Sequence, residues 1–140
     1  MLAITNSRFF RDNELIANET ILIEGEKIVA FTDGTIPNGY EVLDAEQDYL
    51  VPGFIELQIY GSGGNLFSAY PTVATLAQMD ADLISKGTTN FLACVATNSP
   101  EIVHQAIEAA KAYRSRAKGF MGLHLEGPYL NAKRRGAHIA

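Results

Sequence analysis

The residues best suited to chemistry lie close to the end of the 140-residue chain, in the run Gly-Leu-His-Leu-Glu-Gly-Pro at positions 122–128. An apolar, alternating stretch stops at Gly127 and Pro128, which is typical of a strand that ends in a turn. Alternation places His124 and Glu126 on one face of that strand. A carboxylate there is costly unless it is paired, and at the carboxyl end of a parallel strand its usual partner is a metal or a substrate. The pattern favours a site, and the alternative is a carboxylate satisfied by an arginine or by backbone amides.

The first fifty residues predict a small, β-sandwich-like domain that precedes the segment with the strand-end glutamate. Ile, Val, Phe and Thr are concentrated in short runs, and turn residues separate these runs. A tight turn is predicted at Glu24-Gly25-Glu26. The predicted strands cover residues 2–10, 20–24, 27–32, 41–44 and 49–51.

From residue 51 to residue 140 the pattern alternates between strand and helix. The predicted order is a strand at 54–59, a helix at 72–85, a strand at 88–97, a helix at 102–116 and a strand at 119–126. This alternation predicts an α/β fold with a parallel sheet. Three strands and two helices leave strand edges open, so we expect the first βα units of a (β/α)₈ barrel (TIM barrel) that remains incomplete in this chain.

Charge and composition exclude several classes of function. The net charge is −5, from 11 basic and 16 acidic residues, and no basic stripe indicates a nucleic-acid surface. The basic cluster at positions 133–135 is interpreted as a solvated loop, with help in holding an anionic substrate as the alternative. The single cysteine, Cys94, fits a reducing compartment and a small core position. No signal peptide and no long apolar run is visible, so a cytoplasmic protein without membrane contact is expected.

Three segments end the three predicted barrel strands and fall at the same edge of the sheet. They cover residues 56–61, 96–98 and 124–128. In a (β/α)₈ barrel the active-site groups gather at this end, so the convergence carries more weight than any one motif.

These motifs resemble the amidohydrolase superfamily. Val-Pro-Gly-Phe-Ile-Glu at 51–56 resembles the entry into the first barrel strand of those enzymes. The glycine-rich run at 61–64, His-Leu-Glu-Gly-Pro-Tyr-Leu-Asn at 124–131 and Lys-Arg-Arg-Gly-Ala-His at 133–138 are similar to the N-acetylglucosamine-6-phosphate deacetylase family. The resemblance covers essentially the whole chain, which corresponds to only the front part of such an enzyme.

The resemblance implies a metal-dependent amide hydrolase. Its reaction converts N-acetylglucosamine 6-phosphate to glucosamine 6-phosphate and acetate, in amino-sugar catabolism. One divalent metal ion, zinc, and a homodimeric complete enzyme are implied with it.

The resemblance also implies roles for individual residues. Glu126 matches the metal-binding glutamate, and Ala137 and His138 match the pair that contacts the amino-sugar phosphate. Gln58 stands where the superfamily has the first histidine of a His-x-His metal motif, which implies one metal ion and, for Gln58, at most a water-mediated contact. Tyr60 departs from the family, where Asn or His is usual.

His124 lies one layer below Glu126 on the predicted strand, and it is interpreted either as a support for the site or as a substrate contact. The alternative is a core histidine bonded to backbone. The family's two metal-binding histidines and its catalytic aspartate lie on later strands, so no catalytic residue is expected in this chain. His104 lies in the predicted helix at 102–116 and cannot replace them.

Two other functions stay open. The chain is alternatively a truncated, catalytically inactive barrel fragment with a structural or interaction role, and the reading frame downstream of residue 140 would discriminate the two. We expect the 140 residues alone to lack deacetylase activity, since a catalytic zinc generally uses three protein ligands. A dihydroorotase-like enzyme is disfavoured, because Gln58 and Tyr60 replace the two histidines that such enzymes use.

Overall fold

The computed structural model describes residues 1–138, and the chain divides into two compact units, Met1–Pro52 and a second that begins at Gly53. Each unit has its own apolar core. The strands of the first unit are β1 (Leu2–Thr5), β2 (Phe9–Arg11), β3 (Glu14–Ile16), β4 (Thr20–Glu24), β5 (Lys27–Thr32) and β6 (Glu41–Asp44).

The first unit contains a four-stranded sheet in the order β5-β4-β1-β6 and a separate hairpin of β2 and β3. Strand β1 pairs antiparallel with β4 and parallel with β6. The predicted tight turn is confirmed, because Glu24 pairs with Lys27 across a two-residue loop that opens with Gly25 at φ +59°. The core of this unit is formed by Ile4, Phe9 and Ile21.

Three predictions for the first unit were wrong. The strand expected over 2–10 is broken after Thr5, because Asn6 adopts a left-handed conformation with φ of 51°. Strand β3 was not predicted, since its three residues are too few to show alternation. The strand expected at 49–51 is reduced to an isolated bridge between Arg8 and Tyr49.

The second unit alternates strands and helices, as the sequence predicts. Its parallel sheet has the order β11-β10-β7, with β10 in the centre. The elements are β7 (Phe54–Ile59), β8 (Gly61–Ser62), β9 (Asn65–Leu66), α1 (Val73–Ser85), β10 (Thr88–Ala96), α2 (Pro100–Tyr113), a 3₁₀ turn (Arg114–Arg116) and β11 (Phe120–Glu126).

Capping residues set where the two helices begin. The Thr72 hydroxyl accepts a hydrogen bond from the Thr75 amide at 3.2 Å at the start of α1. The Ser99 hydroxyl accepts from the Ile102 amide at 3.4 Å, and Pro100 occupies the first turn of α2. The sequence predicts Ser99 and Pro100 as the cap and first-turn pair of this helix, and this start is confirmed. Of the amphipathic run predicted at 102–116, the last three residues form the 3₁₀ turn.

The glycine-rich run at 61–64, for which the sequence predicts no element, forms the first strand and the turn of the short hairpin of β8 and β9. Gly63 and Gly64 make its turn, with φ of 60° and 82°. Gln78 of α1 holds the hairpin through two hydrogen bonds, because its amide accepts from Asn65 at 2.7 Å and donates to the Gly63 carbonyl at 3.3 Å. The segment after β7 is thus fixed to a helix.

The core of the second unit lies between the sheet and the two helices. Its buried members come from both layers. The apolar spacing of the sequence predicts the buried residues Leu76, Met79 and Leu83 of α1, whereas Ile84, which continues the same spacing, is 37% exposed. The large side chains include Phe67, Leu76, Met79, Phe91, Val95, Tyr113 and Phe120.

A buried carboxylate joins both helices of this unit to the start of β11. Asp80 of α1 is 2% exposed and accepts three hydrogen bonds: from the Tyr113 hydroxyl at 2.8 Å, from the Lys118 amide at 2.8 Å and from the Gly119 amide at 2.7 Å. Burial of the Tyr113 hydroxyl and its hydrogen bond to Asp80 raise the pKa of Tyr113 to about 12.

Across the described residues, no helix combines the length and the apolar character that crossing a membrane requires.

We predict that Asp80→Asn destabilises the protein by about 2–4 kcal/mol, because an amide cannot accept from all three buried donors. A denaturant titration measures this change. Glu108→Gln is the matched control: Glu108 lies on the surface of α2 in an ion pair with Lys111, and because exposed ion pairs contribute little, its substitution should leave the stability nearly unchanged. Equal effects of the two substitutions would contradict the structural role of Asp80.

We also predict a contribution of Tyr113 to alkaline unfolding. The folded-state pKa of about 12 exceeds the ordinary value of 10.0, so the stabilisation is complete below pH 10 and is lost as the pH rises through 12. The free energy of unfolding of Tyr113→Phe should therefore fall less steeply over this pH range than that of the unchanged protein. Parallel curves would show that Tyr113 does not titrate as the geometry requires.

Candidate active site

The carboxyl ends of β7, β10 and β11 meet at one edge of the sheet, because all three strands run parallel. Ala96 pairs in register with Glu126, so the last residues of β10 and β11 lie side by side. A pocket of about 320 Å³ opens at this edge. Its lining residues are Tyr60, Ala96, Thr97, Glu126, Ala137 and His138.

Glu126 is the centre of the site. The Tyr60 hydroxyl donates to its Oε2, and His138 Nε2 lies 3.4 Å from its Oε1. The hydrogen bond from Tyr60, together with the charge that His138 can carry, holds the pKa of Glu126 below its ordinary value. Glu126 is therefore ionised at neutral pH, with its side chain 29% exposed towards the pocket.

Thr97 connects Glu126 to His138. Its hydroxyl donates to the Glu126 backbone carbonyl at 3.2 Å, and its oxygen lies 2.9 Å from His138 Nδ1. Because the Thr97 hydroxyl gives its proton to the Glu126 carbonyl, its oxygen accepts a hydrogen bond from Nδ1–H of His138. Nε2 of the same ring faces the Glu126 carboxylate. The Arg135 guanidinium donates to the His138 carbonyl and fixes the backbone of this loop.

Gln58 reaches Glu126 through Tyr60. Its Nε2–H donates to the Tyr60 hydroxyl at 3.0 Å, and the phenol donates in turn to the carboxylate. The hydrogen bond that Tyr60 donates to Glu126 raises the pKa of Tyr60, because it stabilises the protonated phenol and an ionised phenol beside a carboxylate is unfavourable. Gln58, for which at most a water-mediated contact was predicted, is thus linked to Glu126 through the Tyr60 side chain.

Cys94 is fully buried, as the sequence predicts, but it also contributes to the site. Its Sγ lies 3.9 Å from Glu126 Oε2. Burial and the nearby carboxylate raise the pKa of the thiol, so Cys94 stays protonated and can donate weakly to Glu126.

His124 points across the sheet to backbone. Its Nδ1 lies 3.0 Å from the Leu57 carbonyl, and because a carbonyl only accepts, Nδ1 carries a proton. This is the backbone-bonded arrangement that the sequence left as the alternative. The predicted substrate contact of His124 has no support in the pocket, which His124 does not line.

The basic cluster at 133–135 separates into two parts. Arg135 lines a second pocket of about 440 Å³ at the same edge of the sheet, together with Thr97 and Asn98. The Lys133 amide donates to the Asn131 side chain at 2.9 Å and the Arg134 amide to the Asn131 carbonyl at 2.8 Å, so these two residues form a turn. His104 lies on the exposed face of α2, away from the sheet edge that carries Glu126.

The side chains that line the pocket could supply part of the ligand set of a divalent cation. Glu126 supplies an ionised carboxylate whose Oε1 faces the pocket, which suits zinc and harder cations alike. Within residues 1–138, no group of three or more His, Cys, Asp or Glu side chains is arranged to hold a metal.

Sequence reasoning missed the roles of Thr97, Tyr60 and Cys94. Thr97 was placed at the right edge of the sheet, but its contacts with Glu126 and His138 span 29 and 41 residues. For Cys94, the register of the two strands could have indicated its place near the site. Cys94 pairs with His124, two residues before the pair of Ala96 and Glu126. For Tyr60 the signal was its departure from the family pattern.

No protein-family model matches the chain. The fold is shared with the D-hydantoinase from Bacillus sp. AR9, which matches 95% of this chain and 28% of its own, with a TM-score of 0.53 and 24% identity, and this likeness shows the fold alone. The chain is also similar, over nearly its whole length, to N-acetylglucosamine-6-phosphate deacetylases. This confirms the resemblance predicted from the sequence.

Two solved deacetylases show the similarity in structure. N-acetylglucosamine-6-phosphate deacetylase from Pasteurella multocida has a TM-score of 0.89 and 29% identity, covering 99% of this chain and 37% of its own. The D267A mutant from Mycobacterium smegmatis, solved in complex with N-acetyl-D-glucosamine-6-phosphate, has a TM-score of 0.75 and 29% identity, covering 99% of this chain and 35% of its own.

Two curated relatives show the similarity to deacetylases in sequence. The N-acetylglucosamine-6-phosphate deacetylase of Haemophilus influenzae is 30% identical over 138 residues, which are 97% of this chain and 36% of that enzyme. The N-acetylgalactosamine-6-phosphate deacetylase of Shewanella sp. is 40% identical over 90 residues, 64% of this chain and 23% of that enzyme. The chain thus spans about a third or less of the length of these relatives.

We predict that Gly127→Ala, next to Glu126, destabilises the protein more than Gly64→Ala does. Gly127 has φ of 98°, and an added Cβ would lie 2.2 Å from Thr97 Oγ1, so both backbone strain and a collision result. Strain alone costs about 1–2 kcal/mol. Gly64→Ala is the control, because Gly64 has φ of 82° with nothing within 4 Å of an added Cβ. Denaturant titrations of both variants that give the same loss would contradict the close approach of Thr97.

Proposed function

We propose that this chain is the N-terminal part of a metal-dependent deacetylase that converts N-acetylglucosamine 6-phosphate to glucosamine 6-phosphate and acetate. One observation carries the proposal. In a chain similar throughout to these deacetylases, Glu126 and His138 lie 3.4 Å apart in one pocket at the carboxyl ends of parallel strands. These are residues that the resemblance assigns to the metal and to the substrate.

The proposal includes the architecture. Residues 1–50 correspond to the small β-domain, and residues 51–140 to the first three strands and two helices of a TIM barrel. The parallel order β11-β10-β7 supports this assignment. So do the large apolar side chains of β7: Phe54, Ile55 and Leu57 are all more than half exposed on this strand, as expected of a strand that further barrel elements cover.

In this proposal Glu126 holds one divalent ion, zinc, through its carboxylate. When bound, such an ion polarises the acetyl carbonyl and lowers the pKa of a bound water. The hydrogen bond from Tyr60 keeps Glu126 ionised, which is the state that binds a cation. As the resemblance implies, the proposal assigns the other metal ligands and the catalytic acid and base to later strands of the barrel.

The proposed substrate contacts come from the loop after β11. Ala137 and His138 line the pocket beside Glu126. Thr97 fixes the His138 ring through Nδ1, so Nε2 is the atom presented to the pocket and to a sugar oxygen or phosphate. The imidazole is therefore oriented before any substrate enters, which lowers the entropic cost of binding.

A second candidate substrate is N-acetylgalactosamine 6-phosphate. The specific observation is the 40% identity to the Shewanella N-acetylgalactosamine-6-phosphate deacetylase over 90 residues. The two sugars differ only in the orientation of one ring hydroxyl, so the amide chemistry is the same for both. An assay with each sugar separates the candidates.

The proposal extends to a cytoplasmic, homodimeric enzyme, as expected from the sequence. The competing hypothesis is a catalytically inactive fragment with a structural or interaction role. A longer protein that contains this chain and releases acetate would exclude the inactive fragment.

We predict that Glu126→Gln in the longest natural protein containing this chain loses most of its bound metal and its deacetylase activity, because a neutral amide is a much poorer ligand for zinc. Metal content by elemental analysis and acetate release from both sugar phosphates are the measurements. Glu108→Gln is the control carboxylate, exposed on α2, and should retain both properties. Unchanged metal content in Glu126→Gln would refute the metal-binding role, and no acetate from either sugar with the unchanged protein would refute the function.

A further inference from the structure

Tyr60 makes contacts that bear on which oxygen of Glu126 faces the pocket. It stands where the deacetylase family usually has Asn or His, and its phenol lies in the pocket against Glu126. We propose that Tyr60 is a positioning residue for Glu126: it occupies Oε2 with a hydrogen bond and leaves Oε1 as the oxygen offered to a cation. This inference rests on the proposed metal-binding role of Glu126.

The backbone holds Tyr60 in place. Its carbonyl accepts a hydrogen bond from the Phe67 amide at 2.9 Å, and the Phe67 side chain is fully buried in the core. The hairpin of β8 and β9 lies between these two residues and is held by Gln78 of α1. The ring of Tyr60 therefore extends towards the site from a fixed point.

Gln58 sets the direction of the hydrogen bond. Its amide Nε2–H donates to the Tyr60 oxygen at 3.0 Å, so the phenol accepts there and sends its own proton to Glu126. A hydrogen bond from a phenol to a carboxylate is charge-assisted and is stronger than one between neutral groups. The relay from Gln58 through Tyr60 thus holds one carboxylate oxygen in a single orientation.

The two oxygens of Glu126 are then in different situations. Oε2 is next to the Tyr60 hydroxyl and to Cys94 Sγ, whereas Oε1 faces His138 and the pocket. A carboxylate held in this way binds a cation through one oxygen, with its rotation already restricted. Partners that orient a metal ligand typically change metal affinity by about 10–100-fold when they are removed.

The test uses Tyr60→Phe in the longest natural protein that contains this chain. The ring is retained and only the hydroxyl is lost. We predict that the dissociation constant for zinc, measured by competition with a chelator, rises about 10–100-fold. In the cobalt-substituted protein the visible absorption bands should shift, because the freed Oε2 can join Oε1 on the ion. Tyr70→Phe is the control, since Tyr70 is 63% exposed, and it should change neither quantity.

Gln58→Met is the second variant, and it tests the positioning role of Tyr60 if Tyr60→Phe does not fold. It keeps a side chain of similar size but cannot donate to Tyr60, so it should weaken zinc binding in the same direction. Zinc affinity and cobalt spectra that are unchanged in the folded variants would overturn the proposal for Tyr60. If Glu126→Gln also keeps its metal, the proposed function itself has failed; if only Glu126→Gln loses metal, the failure is confined to Tyr60.

Discussion

The carboxylate of Asp80 is the interaction on which the second unit depends. It lies in the middle of α1 and receives hydrogen bonds from the hydroxyl of Tyr113 and from the amides of Lys118 and Gly119. These donors end α2 and begin β11, so one buried group sets the spacing of both helices and the entry point of a strand. The Gly119 carbonyl accepts a hydrogen bond from the Phe91 amide at 2.9 Å, and this bond fixes the start of β11 relative to the central strand β10. Because an unpaired buried carboxylate is very unfavourable, alternative placements of β11 are strongly disfavoured.

The position of β11 in turn determines the site. Phe120 pairs with Phe91, and a bulge at Met121 then shifts the register by one residue, so that Leu92 pairs with Gly122 and Ala96 lies opposite Glu126 at the far end of the strands. Thr97 follows directly and can bond both the Glu126 carbonyl and His138. A shift of one residue would turn Glu126 to the helix side of the sheet, where Leu123 packs against the core. The chemistry at one end of the sheet is therefore held by a hydrogen-bond network at the other.

The sequence predicts the parts of this fold that local patterns encode. Helix α1 and the strands β10 and β11 follow from apolar periodicity, and the start of α1 from a capping threonine. The break at Asn6 and the hairpin at residues 61–66 could not be predicted, because each depends on left-handed backbone or on contacts with α1. Asp80 itself gives no local signal, since its partners lie 33 to 39 residues away. Glu126 was found from its strand-end position, and His138 only from a family resemblance. The partnership of Tyr60 with Glu126, 66 residues apart, needed the three-dimensional structure.

The two carboxylates of the second unit show how a structural acid differs from one available for chemistry. Asp80 is 2% exposed, and each of its oxygens accepts from donors that are themselves part of the fold: Oδ2 from Tyr113 and Lys118, and Oδ1 from Gly119. Its hydrogen bonds therefore serve the packing of the unit. Glu126 has a 29% exposed side chain, and only Oε2 is occupied by the Tyr60 hydroxyl. Its Oε1 meets an imidazole at 3.4 Å, a longer and weaker contact, on the wall of a pocket. The sequence left open whether this glutamate is satisfied by neighbours or awaits a ligand, and the unequal state of its oxygens favours the ligand.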